Sequence, residues 1–179
     1  MASSFSADLK AGHAGEIVVA NCLKKHYGAK SFTRKGSDKT FDFVLTDKNG
    51  GTITYEVKTD FRAEKTGNLF FEYRCNKKDS GLTATLAFRW AILIPHLNSV
   101  LEFCPKDMWK YLQESKHKNV NGGDGMRVSG YVVVITDVLK LAFVTQIPLT
   151  GRVKAGKVFK CQKSVGTPRK RQIQTRHAP

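Results

Sequence analysis

Asp42, Glu56 and Lys58 are the residues of this 179-residue chain whose types and spacing are best suited to chemistry. They lie on two segments rich in β-branched and aromatic residues, 40–46 and 52–58, separated by an Asp-Lys-Asn-Gly-Gly sequence. Alternating segments around an Asn-Gly pair are a strong signal for a β-hairpin. The sequence therefore predicts that the three residues belong to one antiparallel pair of strands.

The register of this hairpin decides whether the three side chains meet. A turn centred on Asn49 places Asp42 opposite Glu56, with Cβ atoms about 5 Å apart. Side chains alternate between the faces of a strand, so Lys58 falls on the same face as both acids. The opposite face is apolar and is expected to pack on the core; it carries Phe41, Phe43, Tyr55 and Val57.

Two carboxylates held this close repel each other, and a shared proton or a bound divalent cation relieves the repulsion. Oxygen ligands of this kind favour Mg²⁺, with Mn²⁺ as a substitute. A neighbouring lysine can orient an attacking water and offer positive charge to a phosphate. The three residues thus predict phosphodiester hydrolysis, and the alternative is an exposed hairpin face with ordinary salt bridges.

A third acidic residue, Glu16, lies on a predicted helix that covers residues 6–27 and ends at Gly28. Apolar residues recur along this segment at spacings of three and four, and Glu16 falls within their stripe. A buried carboxylate needs a cation or a hydrogen-bond donor. Glu16 is therefore a candidate member of the site, and the alternative is a residue at the edge of the stripe that reaches solvent.

Asp42 followed by Glu56-Val57-Lys58, with Glu16 on an upstream helix, resembles the PD-(D/E)XK nuclease superfamily over about residues 15–90. The resemblance implies a restriction-endonuclease-like α/β fold. In this fold a mixed central sheet, with an antiparallel three-strand meander, is flanked by helices in the order α-β-β-β-α-β. Phe41 stands where the family name has proline, and many members lack that proline.

The resemblance also implies roles for individual residues. Asp42, Glu56, the Val57 carbonyl and Glu16 would bind the metal, with Glu16 acting directly, through water or at a second site. Lys58 would orient the water, and the DNA products would carry a 5′-phosphate and a 3′-hydroxyl. Ser37 before the acid makes the chain loosely similar to archaeal and phage-type Holliday junction resolvases, which implies a homodimer acting in DNA recombination or repair.

The net charge of +15 independently indicates an anionic partner. We expect DNA, because dense positive charge is costly unless a polyanion screens it. Residues 1–150 are predicted to form the nuclease domain, and residues 151–179 a basic extension whose last part, from Gly166, is disordered without DNA. The candidate phosphate contacts are Arg34, Lys35, Lys39, Arg169, Lys170 and Arg171. The alternatives are a non-catalytic DNA- or RNA-binding module, or a nuclease for duplex, nicked or single-stranded DNA.

The rest of the chain gives a coarse order of elements. Strands are predicted at residues 68–74, 90–95, 101–104 and 131–136, helices at 83–88, 105–114 and 137–141, and a glycine-rich loop at 119–130. Residues 68–74 are assigned to the meander as its third strand. Residues 90–95, a continuous apolar run, are assigned to the centre of the sheet.

Composition argues against several other classes of protein. The four cysteines have no metal-binding spacing, so no zinc site is expected. There is no apolar run of about 18 residues and no start that resembles a signal peptide. We therefore expect a soluble cytoplasmic protein that does not bind membranes.

Overall fold

A computed structural model of the chain describes residues 3–34, 40–122 and 127–150, with side chains from Gly12 onward. Within these ranges the elements follow in this order: α1 Ser3–Tyr27, β1 Ser31–Arg34, β2 Phe43–Thr46, β3 Thr52–Thr59, α2 Ala63–Thr66, β4 Asn68–Cys75, β5 Lys78–Asp79, β6 Arg89–Ile94, β7 Ser99–Phe103, α3 Pro105–Glu114, β8 Lys118–Gly122, β9 Val128–Val134, α4 Ile135–Val138 and β10 Thr145–Pro148. A 3-10 turn, Pro95–Leu97, joins β6 to β7.

The strands form two sheets. The central sheet has the order β1-β2-β3-β6-β7-β10, and the smaller sheet has the order β5-β4-β9-β8. Within the central sheet β3 and β6 are parallel, and the other neighbouring pairs are antiparallel. This confirms the predicted α/β class with a mixed central sheet flanked by helices.

The two faces of the central sheet bury separate apolar clusters. Helix α1 packs on one face through Val19, Ala20 and Leu23, against side chains that include Phe43 and Tyr55. The other face packs against the smaller sheet and α3; its cluster includes Trp90, Ile92, Leu101, Phe71, Met108 and Leu112. Strand β6 supplies alternate residues to both clusters, which explains its uninterrupted apolar sequence.

Glycine ends α1 and sets its distance from the sheet. Gly28 adopts φ +62°, and the Ala29 amide donates to the Lys24 carbonyl at 2.9 Å, which closes the last turn of the helix. Gly15 faces β3 so closely that a Cβ there would lie 2.1 Å from Thr59 Oγ1. The next residue, Glu16, is thereby brought to the edge of β3.

The predicted hairpin has the expected register. Phe43 pairs with Tyr55 and Thr46 with Thr52, which centres the turn on Asn49. Asp47 stabilises this turn because its Oδ1 accepts hydrogen bonds from the amides of Asn49 and Gly51, both at 2.8 Å.

The assignment of residues 68–74 to the meander is wrong, although the strand exists. Strand β4 pairs with β5 and β9 in the smaller sheet, because the available edge of β3 is taken by the parallel strand β6. The third strand of the meander is β1, which pairs with β2 and was not predicted. Strands β5 and β10 were not predicted either.

Two other local predictions are wrong. Residues 83–88 are a turn followed by irregular chain, because Thr83 Oγ1 donates to the Tyr73 and Ser80 carbonyls and Gly81 adopts φ +52°. The predicted loop 119–130 contains most of β8 and the start of β9, which pair as an antiparallel hairpin. The glycine content of this segment obscured the alternation within the two strands.

The other strands and helices are confirmed with small shifts at their ends. Helix α3 has the predicted bounds, with Pro105 in its first turn. No helix in the described ranges is long and apolar enough to cross a membrane.

We predict that Gly15→Ala destabilises the protein by about 1–3 kcal/mol, because the added methyl group overpacks the contact between α1 and β3. Urea unfolding measures the change. Gly12→Ala is the matched control: a Cβ there meets no atom within 4 Å. Its better helix propensity should therefore raise stability by up to about 1 kcal/mol.

The same substitution in a Thr59→Ala background tests the cause. Removing the Thr59 hydroxyl should make Gly15→Ala less costly than it is in the wild type. Equal costs in the two backgrounds would contradict the close approach as the reason for the loss.

Candidate active site

The candidate site lies where the ladder between β2 and β3 ends. The Asp42 amide donates to the Tyr55 carbonyl at 2.8 Å, which extends the pairing by one residue beyond β2. The Val57 amide then donates to Asp42 Oδ2 at 2.7 Å, a side-chain oxygen in the place of a strand carbonyl. These two bonds hold the Asp42 carboxylate beside Glu56, as the predicted register requires.

Glu56 and Lys58 lie on the same face of β3, two residues apart. The Glu56 side chain is 18% exposed, and the Lys58 side chain is 53% exposed. Lys58 Nζ lies 3.4 Å from Glu56 Oε1. The ammonium group therefore lies beside a partly buried carboxylate and remains accessible from solvent.

Glu16 approaches from the opposite side of β3, on α1. Its side chain is 15% exposed, and its Oε2 accepts hydrogen bonds from Arg34 Nη2 at 2.6 Å and Nε at 3.1 Å. Arg34 ends β1 opposite Phe43, so the sheet brings this guanidinium to the same end as Asp42. Arg34 was predicted to contact phosphate, and in the structure it is the cation that pairs with the partly buried Glu16.

The acidic groups and Lys58 share one cleft of about 410 Å³. Its lining residues are Gly12, Glu16, Asp42, Glu56, Val57, Lys58, Thr59 and Phe61. The four predicted catalytic residues and Val57 are therefore all brought together. Lys35, Lys39, Arg169, Lys170 and Arg171 lie outside the described residues, and their contacts with nucleic acid stay predictions.

Burial and mutual repulsion shape the charge of the cleft. Burial raises the pKa of Asp42 above its ordinary value, the Val57 amide opposes this, and the charge of Glu16 adds to the rise. Burial likewise raises the pKa of Glu56. The positive charge of Lys58 opposes this rise, and the negative charge of Asp42 adds to it. The folded protein therefore keeps two carboxylates in a place where their ionised forms are destabilised.

The donor set fits a hydrated divalent cation better than a fully protein-bound one. Among the described residues, no three His, Cys, Asp or Glu side chains converge closely enough to hold one ion. Asp42 and Glu56 remain as an adjacent pair, and Mg²⁺ commonly takes one or two carboxylates and keeps several waters. Because Arg34 binds the Glu16 carboxylate, the position of Glu16 favours a role through water over direct ligation.

Thr59 also lines the cleft. Its Oγ1 is buried and has no hydrogen-bond partner within the described structure. This hydroxyl packs against Gly15 of α1 and is closed to solvent, so it belongs to the contact between α1 and β3.

Sequence reasoning missed the support behind β3. The Glu102 side chain is buried, and its two oxygens accept hydrogen bonds from the hydroxyls of Tyr27 and Tyr55, the latter at 2.7 Å. Burial raises the pKa of Tyr55, so the phenol stays a donor. Tyr55 also supplies the carbonyl that holds Asp42. Glu102 is an acidic residue within the otherwise apolar sequence of β7, and this was the sequence signal that could have revealed the contact.

We predict that Glu56→Gln stabilises the metal-free protein at pH 7.5 by about 0.5–2 kcal/mol, because it removes a destabilised buried charge. The folded-state pKa of Glu56 lies above its unfolded-state value. Between those values the folded state binds more protons, so wild-type stability falls as the pH rises through this window. The advantage of the variant should therefore shrink as the pH is lowered.

Thermal unfolding in EDTA across a pH series measures this difference. Glu114→Gln on α3 is the matched control, since that carboxylate is 65% exposed beside Lys110. An advantage for Glu56→Gln that does not change with pH would contradict the assignment to a raised pKa.

Comparison with known proteins gives one structural likeness. No model of a known protein family and no curated protein matches the chain. Among solved structures, the fold is similar to that of a bacterial homing endonuclease, I-Ssp6803I. The TM-score is 0.43 at 20% sequence identity, and the match covers 56% of this chain and 70% of that one.

Proposed function

We propose that this protein is a PD-(D/E)XK-type endonuclease that hydrolyses DNA phosphodiester bonds with Mg²⁺ and leaves 5′-phosphate and 3′-hydroxyl ends. The observation that carries the proposal is the meeting of Asp42, Glu56 and Lys58 in one cleft. Both acids have a raised pKa, and Lys58 Nζ lies 3.4 Å from Glu56 Oε1.

Asp42 and Glu56 would hold the Mg²⁺ ion, with the Val57 carbonyl as a further ligand. When bound, the ion would supply a Lewis acid for the scissile phosphate and lower the pKa of a water. Asp42 is oriented for this role because its Oδ2 is fixed by the Val57 amide and its own amide is fixed by Tyr55. The acid pair is thus positioned before any ligand binds.

Lys58 would orient the attacking water and offer positive charge to the phosphate. Its ammonium group is partly exposed in the cleft and is adjacent to Glu56. Arg34, whose side chain is 38% exposed, keeps Glu16 close to the site through an ion pair. Glu16 would then act through water, on the side of β3 away from Lys58.

DNA is favoured as the substrate by the net charge of +15, because sequence-independent affinity for nucleic acid comes mainly from lysine and arginine contacts with phosphates. Mn²⁺ should replace Mg²⁺, since both accept oxygen ligands. Within this function we propose that the protein cuts DNA according to its structure, with a Holliday junction or another branched DNA as the substrate. We propose that it does so as a homodimer.

We predict Mg²⁺-dependent cleavage of DNA by the wild type, and a loss of at least about 100-fold in rate for Glu56→Gln and for Lys58→Met. The assay compares a four-way junction, duplex DNA, single-stranded DNA and RNA, each with Mg²⁺ or EDTA. Products sealed by a DNA ligase would show 5′-phosphate and 3′-hydroxyl ends.

Glu114→Gln and Lys110→Met are matched controls, because they remove the same residue types from an exposed ion pair on α3. Both should cut at the wild-type rate. Cleavage that persists in Glu56→Gln and Lys58→Met would overturn the site. DNA binding without cleavage of any substrate would favour a non-catalytic module, and cleavage of RNA alone would overturn DNA as the substrate.

We predict that Mg²⁺ raises the Tm of the wild type and leaves the Tm of Glu56→Gln unchanged. A ligand that binds the folded state alone stabilises it by about 2.7 kcal/mol at one hundred times its Kd. Thermal unfolding across a Mg²⁺ series measures this without any turnover. Glu114→Gln should respond like the wild type, and an equal response in Glu56→Gln would place the ion elsewhere.

A further inference from the structure

We propose that Phe61 is a stacking platform for a nucleotide base beside the scissile phosphate, so that the site prefers DNA in which this base is unpaired. The inference rests on the proposed function and names the class of DNA that the same site cuts. It concerns a side chain with no place in the metal site.

The position of Phe61 carries this inference. A singly exposed apolar side chain is ordinary on a protein surface, so exposure alone means little. Phe61 is 46% exposed and lines the cleft with Asp42, Glu56 and Lys58. Phe70, on the smaller sheet, is 43% exposed and is not among the residues that line the cleft.

The backbone around Phe61 is firmly held. The Asp60 amide donates to the Leu93 carbonyl at 3.0 Å, which ties the chain to β6. Asp60 Oδ1 accepts from the amides of Arg62 at 2.8 Å and Ala63 at 2.9 Å, and the Ala63 side chain is buried. The segment therefore presents the ring from a fixed backbone, with little conformational entropy left to lose on binding.

An aromatic ring at this place distinguishes paired from unpaired DNA. A base in a continuous duplex is stacked on its neighbours, and it must leave the helix before a protein ring can cover its face. A base at a flap, a junction or in a single strand is already free to stack, and any base offers a π-face. The ring would thus favour unpaired sites without reading their sequence.

Charge supports the same placement. Lys58 lines the same cleft as Phe61, and Arg62 follows Phe61 in the chain; both of these basic side chains are exposed. These two cations would attract the phosphates next to a base stacked on Phe61. The nucleotide that would stack is therefore next to the one whose phosphate enters the cleft.

The test compares Phe61→Leu with Phe61→Tyr, because leucine keeps an apolar side chain and tyrosine keeps the ring. Rates are measured with Mg²⁺ on a flap substrate, on single-stranded DNA and on a fully paired duplex of the same sequence. Phe61→Leu should reduce the preference for unpaired substrates over duplex by about tenfold. Phe61→Tyr should retain it, and Phe70→Leu, the matched control, should leave it unchanged.

A second measurement avoids turnover. In EDTA, fluorescence anisotropy compares the binding of a single strand with that of the same strand carrying an abasic nucleotide at the cleavage position. The wild type should bind the intact strand about tenfold more tightly than the abasic strand, and Phe61→Leu should bind the two alike.

The outcomes separate this inference from the proposed function. Equal cutting of duplex and unpaired DNA by the wild type, or an equal effect of Phe61→Leu on both, would overturn the stacking role and leave the nuclease intact. Absence of metal-dependent cleavage would overturn the nuclease. The binding comparison would then decide the stacking role: a loss of base dependence in Phe61→Leu supports it, and an unchanged dependence overturns it.

Discussion

The end of the β2–β3 ladder is the constraint on which the candidate site depends. At that point the Val57 amide donates its hydrogen bond to the Asp42 carboxylate and not to a strand carbonyl. The same step leaves Glu56 and Lys58 facing a cleft, while Tyr55 and Val57 stay in the core under α1. The arrangement destabilises two ionised acids, as their raised pKa values indicate, and the apolar clusters on both faces of the sheet offset that cost.

The site was predictable because its geometry is local. The Asp47–Gly51 turn fixes the register of β2 and β3, and alternation then decides which side chains share a face. Neither step needs information from distant parts of the chain. The helix that carries Glu16 was predictable from its periodicity. The buried strand β6 was predictable from the length and apolar character of its sequence.

The pairing of strands across the fold was less predictable because it depends on contacts distant in sequence. The segment Asn68–Cys75 reads as a strand, but its own sequence does not say whether its partner is β3 or β9. Strand β1 is short and half exposed, so its alternation is weak. Polar residues were ambiguous for another reason: Arg34 has the character of a phosphate contact, yet its nearest anion is Glu16, eighteen positions earlier in the chain.

The net charge of the cleft and the net charge of the whole chain have opposite signs. This difference would affect how the proposed nuclease binds DNA. The chain carries a net charge of +15, whereas the cleft holds the carboxylates of Glu16, Asp42 and Glu56 against two cations, Lys58 and Arg34. With all five groups ionised the cleft has an excess negative charge and repels a phosphate. A divalent cation reverses that sign. The basic chain would therefore attract DNA at all times, while the cleft would hold a phosphate more tightly once the acid pair holds its metal.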